Sequence, residues 1–177
     1  MHPDPKKIEK MRNHFTHILL AALILAAPLL LAQCNNYKPT EKDQPVETLT
    51  ELKTAFPKAA YVELTDTATY AVKNASGKVI GTVLLSSPYA DDIKGFNGPM
   101  PLQIALDNDG KIIEVRLLDN HETPSFLKRV TDAGFLKAWN GLTVEEALNK
   151  EVDAISGATY SSNGIQKSLK ARLEAVK

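Results

Sequence analysis

The chain has 177 residues, 21 Lys+Arg against 21 Asp+Glu, 44% hydrophobic residues, one cysteine and one tryptophan. That length suits one domain, and the neutral balance lacks the basic footprint that nucleic-acid binding needs. A single cysteine excludes an internal disulfide framework, a Cys-ligated iron–sulfur cluster and a c-type haem site, and three of the four histidines fall within the first 17 residues, which argues against a His-rich metal site in the folded part.

The first element is the uncharged apolar run from Ile18 to Ala32, preceded by Lys6, Lys7, Lys10 and Arg12. It is short of the roughly 20 residues a helix needs to cross a bilayer and contains Pro28, so residues 1–33 read as a signal peptide, with a short signal anchor as the alternative. MRNHFTHILL, starting at Met11, would be a complete leader opening on its own, and the expectation is that Met11 is the true start. The run ends in Leu31-Ala32-Gln33-Cys34, which resembles a bacterial lipoprotein cleavage box with Cys34 as the lipidated residue. Gln33 departs from the small residue of that pattern. Without residues 1–33 the balance is 17 Lys/Arg against 19 Asp/Glu, a mildly acidic chain expected on the extracytoplasmic side of the cell membrane.

Residues 34–45 are polar and aperiodic and read as a tether, and residues 46–177 as the folded domain. Leu49, Leu52 and Phe56 have helical spacing, ended by Pro57. Two hairpins follow: Tyr70 to Val72 with Val79 to Leu85 around Asn74-Ala75-Ser76-Gly77, and Leu102 to Asp107 with Ile112 to Leu118 around Asn108-Asp109-Gly110. Leu102, Ile104 and Leu106 alternate with Gln103, Ala105 and Asp107, which predicts a strand buried on one face. Between the hairpins runs a long connection, Ser86 to Pro99, of the kind that is functional or disordered. Short helices are predicted around Ser125 to Thr131, Ala133 to Trp139 and Thr143 to Asn149, with Thr143 and Glu146 as a capping box. A last helix, Ser161 to Val176, carries Ile165, Leu169, Leu173 and Val176 as one apolar stripe. The class is α+β, an antiparallel sheet from two hairpins packed with C-terminal helices.

The stretch Asp153-Ala154-Ile155-Ser156-Gly157-Ala158-Thr159-Tyr160-Ser161-Ser162 joins a strand-like end to the last helix. Gly157 permits a tight turn, Ala158 leaves space for a ligand, and hydroxyls gather where a helix has unpaired N–H groups, a favourable place for a phosphate. The same residues would equally make an ordinary Ser/Thr helix cap. Gly95-Phe96-Asn97-Gly98-Pro99 and His121-Glu122-Thr123-Pro124 read by themselves as a solvated loop and a turn ended by a helix-starting proline. Trp139 suits the core, and no nucleophile–base–acid constellation stands out.

Asp153 to Thr159 resembles the flavinylation motif Asp-x-x-(Ser/Thr)-Gly-Ala-Thr of the FMN-binding domain found in small exported subunits of the Rnf and Na⁺-translocating quinone reductase complexes. The resemblance covers about residues 46–177. It implies FMN held by a phosphoester on Thr159, a flavin transferase that engages Asp153, a turn shaped by Ser156 and Gly157, and a phosphate donor in Ser162. The glycine-and-aromatic loop is similar to Gly95–Pro99, so Gly95 and Gly98 would admit backbone N–H groups to the flavin while Phe96 covers a ring face. The family's His-x-Glu-Thr-Pro element is similar to residues 121–124, which places Glu122 and Thr123 at the polar edge of the ring. Ser125-Phe126-Leu127 departs from the family's Gly-Leu-Gly. The implied function is a membrane-tethered electron carrier with a membrane redox partner. A flavin-dependent reductase acting directly on a small substrate and a non-redox binding lipoprotein are the other readings.

Overall fold

The computed structural model describes residues 38–45 and 51–177, within the unit Lys38–Lys177. The expected signal segment, Cys34, and Leu49 of the first predicted helix lie outside the described residues. Among the described residues no helix is long and apolar enough to cross a membrane.

Among the described residues six strands make one antiparallel sheet in chain order: β1 (Asp43–Pro45), β2 (Ala59–Asp66), β3 (Thr69–Asn74), β4 (Val79–Leu85), β5 (Leu102–Leu106) and β6 (Ile112–Leu117). Both expected hairpins are present, and side-chain oxygens fold their turns. Asn74 Oδ1 accepts from the Ser76 and Lys78 N–H groups, and Asp107 Oδ1 from those of Asp109 and Lys111. Strands β1 and β2 extend the sheet beyond them. β1 takes up the last residues of the stretch read as a tether, pairing Asp43 with Glu63. β2 carries no clean alternation, because it buries only Ala59 and Val62 and leaves Leu64 exposed.

Among the described residues there are four α-helices: α1 (Leu52–Ala55), between β1 and β2, and, after β6, α2 (Pro124–Asp132), α3 (Val144–Asn149) and α4 (Thr159–Glu174), with a 3₁₀ turn at Phe135–Trp139 between α2 and α3. Thr143 and Glu146 form the anticipated capping box at α3. The sheet is covered on both faces. Leu84, Leu102, Ile104 and Leu106 pack with Ile165, Leu169 and Leu173 of α4, while Val62, Val72, Val83 and Ala105 pack with Leu52 and Phe56 around α1. β5 is therefore buried along its whole length, not on one face as its alternation predicts, because α1 returns to cover the second side. Val176 falls outside the stripe expected of it: α4 ends at Glu174 and Val176 is 40% exposed.

The long connection from Ser86 is ordered and packed. Ser86 N–H donates to Leu102 O (2.9 Å) and Leu102 N–H donates to Ser86 Oγ (2.8 Å), closing its base, while Ala90 and Met100 are buried.

Candidate functional site

α4 begins two residues before the predicted start, with Ala158 as its N-cap and Thr159 as its first helical residue. Alanine offers no oxygen, and no side chain caps this end. The ordinary Ser/Thr cap is therefore not what these residues form. Gly157, at φ +74°, turns the chain into the helix through a left-handed conformation that costs other residues about 1–2 kcal/mol. The incoming segment has no strand pairing, and Ile155 O accepts from Ala158 N–H to close the turn.

The lip of this turn is an apolar cavity of about 210 Å³ between Phe96, Phe126, Tyr160 and the backbone run from Gly157 to Ser161. Phe96 meets Phe126 edge-on, with ring centroids 5.3 Å apart, and lies 6.3 Å from the Tyr160 ring. Phe96 is 61% and Tyr160 70% exposed, an unusual display of aromatic surface at one place. Thr159 is exposed and lines the same cavity. Larger grooves of about 270 and 420 Å³ run along edge strand β6 and contain none of the predicted site residues.

Below the aromatic lip, Glu122 holds the site together. It is only 5% exposed and turns inward, where Oε2 accepts from Phe96 N–H (2.7 Å) and from the Ser161 hydroxyl (3.0 Å), and Oε1 from Thr123 N–H (2.8 Å). Burial by itself raises its pKa. The hydrogen bonds from Thr123, Phe96, Ser161 and Asn97 outweigh that and hold the carboxyl below its ordinary value, so Glu122 is an anion at neutral pH. One carboxylate thus fastens the 95–97 loop to the first turn of α4.

Gly95 is required by the same contact. A Cβ there would overlap Glu122 Oε2 and stand 2.8 Å from Met100 Sδ, while a Cβ on Gly164 of α4 would come within 3.0 Å of Gly95 Cα and N. Loop and helix therefore meet backbone to backbone.

Several expectations change accordingly. The Gly95 and Phe96 N–H groups are committed to Gly98 O and Glu122, and what this loop brings to the cavity is Phe96. Gly98 faces only His121 Cβ, 3.9 Å from where its own Cβ would stand. Glu122 and Thr123 do not line the aromatic cavity: Glu122 is a buried brace, and Thr123 is the N-cap residue of α2 before Pro124. Ser162 is buried, its hydroxyl donating to Ala158 O (2.9 Å) and accepting from Ile155 N–H (3.1 Å), so it stabilises the turn and does not reach outward as a phosphate donor. Asp153 and Ser156 are exposed beside the turn and outside the cavity. Trp139 is fully buried against Phe135, as expected. Phe126 and Tyr160 join the site by folding. Phe126 occupies the place where the sequence departs from the family pattern.

The donor set suits a flavin phosphate: an exposed hydroxyl at an uncapped helix start, and aromatic side chains within reach for a ring. Among the described residues no group of three or more His, Cys, Asp and Glu could hold a metal.

Comparison with known proteins agrees. Residues 95–174 match the model of the FMN-binding domain family. The chain is 27% identical over 174 residues to the G component of the ion-translocating oxidoreductase complex of Stutzerimonas stutzeri, a match spanning 88% of this chain and 76% of that protein. It is 30% identical over 90 residues to the G component of the proton-translocating ferredoxin:NAD(+) oxidoreductase complex of Clostridium ljungdahlii, spanning 47% of this chain and 49% of that one. The matched region and the aromatic cavity at α4 lie on the same part of the chain: residues 95–174 are similar to the FMN-binding domain family, and that match supports FMN as the cofactor.

Proposed function

We propose that this chain is the FMN-carrying subunit of an Rnf-type electron-transporting membrane complex, with FMN joined by a phosphoester to Thr159 on the extracytoplasmic side. The observation that carries the reading is the placement of Thr159, exposed at the first position of α4 on the lip of an aromatic cavity. When bound, FMN supplies one- and two-electron transfer. A flavin transferase brings a flavin phosphoanhydride to the turn. The Thr159 Oγ–H bond and the anhydride P–O bond at the flavin phosphate would break, an Oγ–P bond would form, and the other half of the anhydride would leave as a phosphate, with the proton released. Exposed Asp153 is available to that transferase, while Gly157 and Ser162 hold the acceptor turn in shape.

Electron carriage is favoured over direct catalysis by the state of Glu122. It is the buried carboxylate beside the cavity, and its oxygens are already engaged by N–H and O–H donors, which leaves it unsuited to move a substrate proton. The cavity of about 210 Å³ is also smaller than the roughly 300–1,000 Å³ typical of enclosed ligand sites, which suits a ring left open to a protein partner. The leader, the polar residues after it and Cys34 would place the domain on the outer face, held by a lipid or by a retained signal anchor.

The test is intact mass of the full chain made with its leader and a flavin transferase. The wild type should gain one FMN less one water, on the peptide containing Thr159, and Thr159→Ala should gain nothing while keeping its far-ultraviolet circular dichroism. An adduct on Ser156 or Ser161 would move the attachment point. A wild-type chain with no adduct would remove covalent attachment altogether. Cys34→Ser should block lipid incorporation and cleavage. A wild type with neither would leave the signal anchor as the attachment.

A further inference from the structure

Arg129 comes from α2, 30 residues before Thr159, and is brought against the acceptor turn by the fold. A Cβ built on Gly157 would lie 3.5 Å from each of Arg129 Cζ, Nε and Nη1. Equal distances to three atoms of one planar group mean that the guanidinium lies flat over the open face of Gly157. The neighbouring cation is differently placed: Lys128 pairs with Asp132 at 2.7 Å. Among the described residues Arg129 has neither an ion pair nor a hydrogen bond donated by its guanidinium, and the residue is exposed.

A phosphate linked to both Thr159 and the flavin is a diester that keeps one negative charge. The turn supplies little side-chain help to hold it, because Ala158 has no oxygen and the Ser162 hydroxyl is turned to Ala158 O. A guanidinium offers a planar fork of donors matched to two phosphate oxygens. We infer that Arg129, lying on Gly157, pairs with the FMN phosphodiester at Thr159 and fixes its orientation at the helix start. The inference rests on the Thr159 reading. Its bland competitor is a surface arginine in the last turn of α2 that answers only to the dipole of its own helix.

The two roles separate when the flavin is present. The full chain is made with the transferase as wild type, Arg129→Gln and Arg129→Lys, each checked by intact mass and circular dichroism, and the ³¹P resonance of the bound diester is recorded. The resonance should move by more than its linewidth in Arg129→Gln and return most of the way in Arg129→Lys. The rise in melting temperature on flavinylation, measured against the same variant made without transferase, should shrink in Arg129→Gln. A dipole role lowers both forms equally and leaves the resonance in place, and that result overturns the inference while the Thr159 linkage stands. A wild-type chain without an FMN adduct overturns both. Should Arg129→Gln fail to fold, the wild type and Arg129→Lys decide the matter. A ³¹P position and a stabilisation that both change on raising salt from about 0.02 to about 0.5 M support the pairing, and salt-independent values overturn it.

Discussion

At its C-terminal end α4 is held by Arg172, a fully buried side chain whose guanidinium donates to Leu85 O (2.7 Å), Ala68 O (3.1 Å) and Thr69 Oγ1 (2.6 Å), with the Tyr89 ring 4.6 Å away. At its N-terminal end the same helix has no side-chain cap, and Thr159 and Tyr160 face solvent. The first arrangement ties the helix to the β2–β3 turn and the end of β4, where Ala68 O accepts from Leu85 N–H as well as from Arg172. The second leaves helix N–H groups and a hydroxyl available to something outside the chain. Anchoring and the proposed attachment are thus at opposite ends of one helix of 16 residues. The brace at Glu122 sits beside the uncapped end, bonded to Ser161 of the helix's first turn.

The contrast can be broken first at the clamp. Arg172→Ala removes three hydrogen bonds to Leu85 O, Ala68 O and Thr69 Oγ1 and opens a void where a fully buried side chain stood, and should cost about 3 kcal/mol, lowering the melting temperature by roughly 6–12 °C in a thermal scan. Gly95→Ala forces a methyl group between Glu122 and Met100 and should cost about 1–3 kcal/mol. Urea unfolding would measure it, and a loss this large places the loop in the core and not at the periphery. Glu122→Gln should cost about 1–2 kcal/mol near neutrality. Because the folded pKa of Glu122 is depressed, the carboxylate's contribution is fully present above its unfolded value and is lost as pH falls through the folded one. The stability gap between wild type and Glu122→Gln should therefore narrow in acid, which a pH series of denaturant midpoints would detect. Thr159→Ala is the smallest case in stability, within about 0.5 kcal/mol, because its side chain is exposed. It is also the largest in covalent flavin.

The hairpins were readable because Asn74-Ala75-Ser76-Gly77 and Asn108-Asp109-Gly110 are runs of turn residues, and α4 because Ile165, Leu169 and Leu173 recur at helical spacing. β2 was not, since its neighbours cover only Ala59 and Val62, and a strand that buries so little shows no period. Double-sided burial of β5 depends on α1, which comes from about 50 residues earlier in the chain, and no local pattern records that. At the site, the residues from Gly157 to Thr159 were legible as a turn before a helix. The inward direction of Glu122 was not, because a carboxylate before Thr-Pro reads as solvent-facing until the Phe96 and Ser161 donors are brought around it. Tyr160 and Arg129 likewise acquire their places only when α2 and the 95–99 loop close over the start of α4.

The backbone meeting of Gly95 and Gly164 separates exposure from mobility. Phe96 is a surface residue by its ring, yet its N–H ends on a buried carboxylate and the preceding N–H on Gly98 O. In hydrogen–deuterium exchange these two amides should be among the slow ones of the connection, opening with the domain core and not with the surface. A loop that stays fixed while the charge beside it changes also adds little nuclear reorganisation to electron transfer, so the pair of glycines bears on the rate at which such a centre could pass an electron as well as on packing.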